Sequence, residues 1–291
     1  MKLVMTLLVK NEQDIVENNI RFHAMQGVDA FLVMDNGSED GTVEILKRLS
    51  MEYELTIVEN PSTSYQQKEW MTALAKRARK EMQADLVISN DADEFWSTRD
   101  GSSLKSKLSM KDTVVTVRRY NFVLDEGSES ERDAYITCCN RVINPILYGT
   151  HDYELQKKMS MPLQKISPKV IVNPRGLRRI SGGNHRADHL FFWRDRFSDD
   201  IVVDHYPIRS FTEFESKILN RQRLRLRHPE RKQSAHYLRW LSSLDKGELM
   251  QEYRQMQISK QERDVLLRLG VLDHVEPTAL ARWHAAWKVS A

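Results

Sequence analysis

Leu86-Val87-Ile88-Ser89-Asn90-Asp91-Ala92-Asp93-Glu94-Phe95-Trp96 is the stretch whose reading decides the fold of this chain. A short apolar run breaks off into three carboxylates within four positions and then into two aromatic residues. Such a run, bounded by polar residues, is the pattern of a buried strand. In an open α/β sheet, ligands lie beyond the carboxyl ends of the strands. Asp91 and Asp93 are therefore expected at a strand end, where a substrate belongs. Two carboxylates at i and i+2 are hard oxygen ligands suited to Mg2+ or Mn2+, cations that neutralise phosphate. Acidic residues also open ordinary loops, and a D-x-D alone is a weak signal. The surrounding sequence decides between the two.

Upstream, the same alternation repeats. Leu3 to Val9 reads as a buried strand, broken by Lys10-Asn11-Glu12. From Glu12, the residues Ile15, Val16, Ile20, Phe22 and Met25 mark an amphipathic helix that Gly27 ends. Phe31 to Met34 is a second strand, and it too runs into a carboxylate, Asp35. The turn-rich loop Asn36-Gly37-Ser38-Glu39-Asp40-Gly41-Thr42 follows, then a helix carrying Val43, Ile45, Leu46 and Leu49. Glu54 to Val58 is a third strand. Ser64-Tyr65-Gln66-Gln67 reads as a capping box opening a helix that reaches about Met82. Strands alternating with helices over this length predict a parallel, doubly wound sheet. Right-handed crossovers collect the strand ends on one edge. Lys10 to Glu12, Asp35 and Asp91 to Glu94 are thus expected to share one cleft.

Downstream, Ser102 to Leu108 is a short helix candidate, and Thr113 to Val117 a β-rich run leading into Arg118-Arg119-Tyr120. Residues 125–133 are polar and turn-rich. Val170 to Val172 and Ile201 to Val203 read as strands, the second ending in Asp204-His205-Tyr206-Pro207, with the loop Gly182-Gly183-Asn184-His185 between them. From Ser210, where Glu213 completes a further capping box, the chain is expected to be helical almost to its end. The expected organisation is one α/β domain over 1–209, with a nucleotide-binding half (1–100) and an acceptor half (101–209), and a helical region over 210–291.

The bulk composition excludes little but fits an ordinary globular protein: 291 residues, 41% hydrophobic and 29% charged, with a net charge of only +3. The two cysteines, Cys138 and Cys139, are adjacent, so a mutual disulfide is awkward. They make neither a disulfide framework nor a zinc pattern, which is the usage of a reducing compartment. The apolar run at the N-terminus is too short for a signal peptide, and no run approaches the ~18 apolar residues of a membrane span. The expected location is the cytoplasm, with attachment to the inner face of a membrane left open.

Taken together, Asn11-Glu12, the Asp35 to Thr42 loop and Asp91-Ala92-Asp93 resemble the early segment of family 2-like glycosyltransferases of the GT-A fold. That segment reads approximately N-E, then D-x-G-S-x-D-G-T, then D-x-D. Asp204-His205-Tyr206-Pro207-Ile208-Arg209-Ser210, with Phe214 and Lys217 beyond, is similar to the H-Y-x-x-x-S segment of a bacterial branch of these enzymes. The likeness covers residues 2–100 and 165–217, and is patchy between them. It implies a GT-A-like, mostly parallel sheet sandwiched by helices. It also implies metal-dependent transfer of a sugar from a nucleoside-diphosphate sugar to a hydroxyl, with inversion, on a bacterial surface glycan or lipid-linked acceptor.

The resemblance also implies roles. Asp35 would accept hydrogen bonds from the base or ribose of the donor, or else hold its own loop as an Asx-turn. Asp93 would ligate Mn2+ or Mg2+, with Asp91 on the metal or the ribose. The ion would offset charge on the departing diphosphate. His205, at a strand end, would complete the metal shell or serve as a structural histidine, with His185 and His189 as rivals. Lys169 would reach a diphosphate oxygen or lie on the surface as an ordinary lysine. Lys10, Asn11, Glu12, Gln67 and Lys68 would border the donor. An inverting transfer needs a general base. The family's usual E-D pair is missing from the middle of this chain, which leaves Glu94 and Asp152 ahead of Asp125, Asp133 and Glu154.

Lys217, Arg221, Arg223, Arg225, Arg227, Arg231 and Lys232 crowd one stretch of the tail. They read as a solvated helix face or as a peripheral contact of 217–232 with an anionic membrane. Trp240, Trp283 and Trp287 read as interfacial anchors or as core. Two other functions stay open on the sequence. A haloacid-dehalogenase-type phosphatase uses a D-x-D but leaves the Asp35 loop unexplained. A nucleic-acid-binding protein could use the basic tail, although no reading motif accompanies it.

Overall fold

The computed structural model describes residues 1–60, 66–128, 133–146, 160–230 and 234–290. The chain forms two compact units, one made of Met1–Arg119, Ser167–His205 and Ala286–Ala291, the other of Tyr120–Ile166 and Tyr206–Ala285. The polypeptide therefore leaves and re-enters the first unit: the change at 205/206 falls close to the expected boundary at 209, and the change at 119/120 falls inside the expected α/β domain.

In the first unit β1 (Leu3–Val9), β2 (Ala30–Asp35), β3 (Leu55–Glu59) and β4 (Leu86–Asn90) alternate with helices α1 (Val16–Met25), α2 (Thr42–Leu49) and α3 (Gln67–Met82). β1 pairs in parallel with both β2 and β4, and β2 with β3. The resulting order β3-β2-β1-β4 is that of a doubly wound sheet, whose winding reverses beside β1. Alternate residues of the strands (Val4, Leu32, Met34, Val87) pack on Met71, Leu74, Ala75 and Ala78 of α3. α3 starts after Gln66, which makes no side-chain cap; Ser64, the expected capping residue, lies outside the described residues.

The second half of the sheet is antiparallel. It adds β5 (Glu94–Thr98), β6 (Val114–Asn121), β8 (Lys169–Val172) and β11 (Arg196–His205), giving the order β3-β2-β1-β4-β8-β6-β11-β5. The sheet is thus mixed, parallel on one side and antiparallel on the other. Three strands separate β4 from β5, so a flat sheet would hold them about 19 Å apart at ~4.8 Å per strand. Yet only Asp91-Ala92-Asp93 joins them, and the Glu94 N–H bonds back to the Asp91 carbonyl at 3.1 Å. Four Cα steps span at most about 15 Å. The sheet must therefore curl enough to bring its β5 edge back toward the carboxyl end of β4. A β9–β10 hairpin (Leu177–Ile180, Ala187–His189) lies on α3.

In the second unit, β7 (Asn140–Val142) pairs antiparallel with β12 (Leu272–His274). The expected all-helical tail thus contains a strand. It ties residues from the middle of the chain to the C-terminal region, which is why 120–166 joins the tail rather than the sheet. Helix α4 (Ala134–Thr137) is a single turn. Helices α5 (Phe211–Arg227), α6 (Ala235–Asp245) and α7 (Leu249–Arg254) close over Phe214, Ile218, Trp240, Leu241 and Tyr253, and α8 (Lys260–Arg268) and α9 (Ala279–Ser290) follow. Ser210 caps α5 by accepting from the Glu213 N–H, as its sequence predicts. Trp240 and Trp283 are buried, which favours core over interfacial anchors; Trp287 lies in the first unit under the Arg21 guanidinium.

Candidate functional site

The charged groups gathered at the turn after β4 all belong to the first unit. The curl of the sheet gives one charged side chain per strand to the turn after β4. Asp91 and Asp93 sit in the turn itself, Glu94 opens β5, Arg119 lies on β6, Lys169 opens β8 and His205 ends β11. His205 stands directly opposite Glu94 in the β5–β11 ladder. Lys169 stands opposite Val117 of β6, so Arg119, two residues further, presents the same face.

Two clusters result. In the first, Glu94 Oε1 accepts from Arg119 Nη1 at 2.6 Å and lies 2.9 Å from Lys169 Nζ. Lys169 also donates to Asp91 Oδ2 at 2.5 Å, and Asn184 Nδ2 reaches Asp91 Oδ1 at 3.3 Å. Glu94 and Lys169 are each 0% exposed. Burial pushes the Glu94 carboxyl above its ordinary value; Asp91 and Asp93 add to that, while Lys169 and Arg119 oppose it. Burial works against the charge of Lys169 too, but Asp91 and Glu94 outweigh it and raise the ammonium above the usual lysine range. With two cationic donors on Oε1, the geometry accommodates Glu94 as the carboxylate.

In the second cluster, His205 Nε2 lies 3.6 Å from Asp93 Oδ1. Ligand atoms of Asp93, Glu94 and His205 all fall within 4.8 Å of one another. Carboxylate oxygen with imidazole nitrogen is a donor set for Mn2+ and its neighbours. Glu94 Oε2 is buried with no hydrogen-bond partner among the described residues, so it is the oxygen of that carboxylate left for a cation. The residues present therefore fit a divalent cation. Asp91, Asp93 and Glu94 carry three negative charges against the two permanent positive ones of Arg119 and Lys169. A divalent ion would turn the balance to net positive, the sign a diphosphate requires. Among the described residues one other trio, Cys139, His274 and Glu276 in the second unit, has comparable spacing.

Beneath the turn runs a buried polar network. Asn19 Nδ2 donates to the carbonyls of Ala92 and Glu94 at 2.8 and 2.9 Å. Asn90 Nδ2 donates to the Glu94 carbonyl and to Asn19 Oδ1, and Asn90 Oδ1 accepts from Trp96 Nε1 at 2.8 Å. His23 Nε2 accepts from the Trp96 N–H at 2.9 Å, while Nδ1 lies 2.7 Å from the Asn19 carbonyl. That pattern makes Nδ1 the protonated nitrogen of a neutral ring. Burial holds His23 down at about 3. Every member is buried, so the turn is fixed from below by satisfied hydrogen bonds.

The other sequence candidates fall as follows. Asp35, 5% exposed, accepts from Gly37 N–H, Ser38 N–H and Ser38 Oγ, the local Asx-type contacts of its own loop. Asn11, at φ 54°, accepts from the Glu39 N–H and donates its own N–H to Ser38 Oγ; the Glu12 N–H donates to Thr42 Oγ1. Lys10 is exposed and donates to the Asn36 carbonyl. These residues clip the β1 and β2 ends together beside the point where the winding reverses. Gln67 Oε1 accepts from the Gly183 N–H at 3.2 Å and so ties α3 to the loop that carries Asn184. Lys68, next in α3, is half-buried, its carbonyl taken by Thr72.

Three expectations change. Lys169 is neither a surface lysine nor extended toward a ligand, because Asp91 and Glu94 hold its buried ammonium. Asp91 bonds to Lys169 and Asn184, and the trio whose ligand atoms lie within 4.8 Å of one another adds Glu94 to the expected Asp93 and His205. Glu94, first among the candidate bases, is fully buried under two cations. Asp152 and Glu154 lie outside the described residues, whereas Asp125, which accepts from Arg263 Nη1, and Asp133 lie within them. His185 is a neutral ring at about 4, lowered by burial and then by Lys169, with Nδ1 on the Pro168 carbonyl. His189 contacts the Asn173 carbonyl and the Phe191 N–H. Neither histidine joins the metal-capable trio. Arg119 and Asn184 were not singled out in the sequence, although each stands in a stretch that was.

The chain belongs to glycosyl transferase family 2, whose model matches residues 7–168. The match spans Asp35, Asp91, Asp93, Glu94 and Arg119, and stops before Lys169 and His205. With the observed sheet, this defines a GT-A-like α/β architecture and replaces the phosphatase reading of the D-x-D. Among solved structures, the chain is similar to S. aureus TarS 1-349 in complex with UDP, at 12% identity and TM-score 0.44, over 75% of this chain and 64% of that one. It is also similar to S. aureus TarS itself, at 13% identity and TM-score 0.44, over 90% of this chain and 44% of that one. A third is glucosyl-3-phosphoglycerate synthase from Mycobacterium tuberculosis with Mn2+, UDP and glucosyl-3-phosphoglycerate, at 16% identity and TM-score 0.32, over 60% and 57%. The chain thus spans less than two thirds of each of these three. No curated protein matches the sequence significantly. Among the described residues, no helix is long and apolar enough to cross a membrane.

Proposed function

We propose that this chain transfers a sugar from a nucleoside-diphosphate sugar to an acceptor hydroxyl, with a divalent cation held by Asp93 and His205. The observation that carries the reading is the approach of Asp93 and His205 to 3.6 Å at the carboxyl end of β4, beside the reversal of winding where α/β sheets bind ligands. When bound, the cation supplies a Lewis-acid charge for the departing diphosphate. The chain's own groups do the rest. Asn19, Asn90 and His23 hold the turn so that Asp93 needs little reorganisation. Glu94 positions Arg119 and Lys169, and Lys169 in turn orients Asp91 toward the donor. The Asp35–Thr42 loop forms the nucleotide wall. Asp152 keeps its assignment as the base of an inverting transfer. The likeness of Asp204–Ser210 to a bacterial branch of the family supports an acceptor on a surface glycan or its lipid-linked precursor.

Calorimetric titration with UDP, GDP, dTDP and CDP, each with and without Mn2+, tests this. One nucleotide should bind in a metal-dependent way, and Asp93→Ala should weaken that binding by about 100-fold while leaving the fold intact. Metal-independent binding, or equal binding by the variant, would remove the metal assignment. Failure of every nucleotide with metal present would remove the transferase reading.

A further inference from the structure

Leu190, Phe191, Phe192 and Trp193 are consecutive and exposed at 46%, 40%, 69% and 65%, and Phe197 is exposed at 46%. Scattered apolar residues on a surface need no explanation, whereas a contiguous aromatic patch marks an interaction site. The loop is built to present these rings. It leaves β10 with the Leu190 N–H on the Gly176 carbonyl at 2.9 Å and the Phe191 N–H on His189 Nδ1 at 3.0 Å. The Phe191 ring lies so close to Gly176 that a Cβ there would meet it at 2.9 Å. Trp193 packs edge-on against Phe191 and Phe192, with centroids at 5.3 and 5.8 Å, and a 3-10 turn over Phe192–Arg194 holds the tip.

A partial collar of positive charge flanks the tip. Arg175 and Arg194 adjoin it and Arg178 lies on β9, all three exposed, while Arg179 is paired with Asp188 and Arg186 stands at the opposite end of the hairpin, its carbonyl accepting from the Ser181 N–H. Asp188 is offset by Arg179, Asp195 accepts from Thr113 Oγ1 at 2.7 Å, and Asp199 and Asp200 are exposed beyond Phe197. The Arg118 guanidinium also lies over the Phe197 ring, 5.7 Å from its centroid.

We propose that Leu190–Arg194 is a membrane-docking loop that seats the first unit on an anionic phospholipid surface, its aromatic tip in the headgroup boundary and its arginines on lipid phosphates. Trp and Phe favour that boundary, and basic residues beside it add electrostatic attraction. A second copy of this chain is a poorer occupant, because a two-fold contact through the tip would set one arginine collar against the other. The surface is distinct from the basic stretch of α5, where the Arg221 guanidinium is stacked 4.1 Å from the Tyr237 ring centroid. The proposal does not rest on glycosyl transfer, since vesicle binding is read without turnover.

The test is co-sedimentation of the full chain with phosphatidylcholine vesicles, with and without about one third phosphatidylglycerol. Anionic vesicles should bind at least about tenfold more tightly, with loss at high salt. Phe192→Ser/Trp193→Ser should lower that binding by about tenfold or more at an unchanged thermal midpoint, since both side chains are exposed. Arg175→Gln/Arg178→Gln/Arg194→Gln should remove the preference for anionic lipid. Undiminished binding by the aromatic variant, or no binding by the parent chain, would overturn the proposal. So would a loss that follows only Arg223→Gln/Arg225→Gln/Arg227→Gln in α5. A concentration-dependent dimer abolished by the aromatic variant would assign the face to a second copy.

Discussion

Lys169→Met would leave Glu94, itself 0% exposed, with one cation in place of two and would free Asp91 from its partner. Breaking a buried pair from one side typically costs about 3–5 kcal/mol, because the remaining charge stays uncompensated. Urea unfolding of Lys169→Met should show a loss of that order, and Glu94→Leu/Lys169→Met should recover part of it. His23 makes a second residue-scale prediction. Its folded value near 3 lies below the unfolded 6.5, so above pH 6.5 it adds no pH dependence. As pH falls from 6.5 toward 3, the unfolded chain takes a proton that the folded ring refuses, and stability drops by about 1.4 kcal/mol per pH unit from this group. His23→Phe should flatten that part of the acid limb, yet start lower at neutral pH by about 1–3 kcal/mol because the Trp96 N–H loses its acceptor. An unchanged acid slope in the variant would exclude His23 as its source. At this scale the sequence is legible where chemistry follows position: Asp91, Asp93 and His205 all stand at strand ends, and their types announce metal or phosphate. Lys169 was not legible, because nothing local tells a lysine at the start of an apolar run that two carboxylates from far away will bury it.

The elements of the first ninety residues follow directly from their apolar runs, since β1, β2 and β4 are buried on both faces and the edge strand β3 still carries a short apolar run. β1 spans Leu3–Val9 as its sequence predicts, and β2 to β4 differ by a residue or two at their ends. β5 and β12 are different. Glu94-Phe95-Trp96-Ser97-Thr98 begins with a carboxylate that marks a loop in isolation, and it becomes a strand only by pairing with β11. Leu272-Asp273-His274 is too short to show an alternation at all. Tertiary pairing decides both. Gly27 illustrates how closely the early elements are then fitted: it ends α1 at φ 96°, and a Cβ there would lie 2.2 Å from Ser103 Oγ. Gly27→Ala should therefore destabilise by about 1–3 kcal/mol. In Gly27→Ala/Ser103→Gly the steric part should vanish while the strain of the positive φ, about 1 kcal/mol, persists. A double-mutant cycle with no coupling between the two positions would show that backbone strain alone is at work.

At the scale of the molecule, the division into two units follows from which segments share a core, and sequence order conceals it. Composition and periodicity describe each stretch where it stands, whereas Tyr120–Ile166 joins the tail only through pairings such as Leu272 with Val142. The curl of the sheet has a further consequence for how the chain is made. Asp91 leaves the ribosome 78 residues ahead of Lys169, an interval of about 4–16 s at ~5–20 residues per second. During that time a nascent chain holds β1 to β4, which pair with one another, beside a turn of three carboxylates whose buried cation Lys169 has not been translated. β5 likewise has no neighbour until β11 is complete at His205. Nascent chains stalled before residue 169 should therefore be cut by protease at 91–98, and chains extended well past 205 should resist. The parallel half is the part synthesis can finish early; the charged half is assembled only when its last strand arrives.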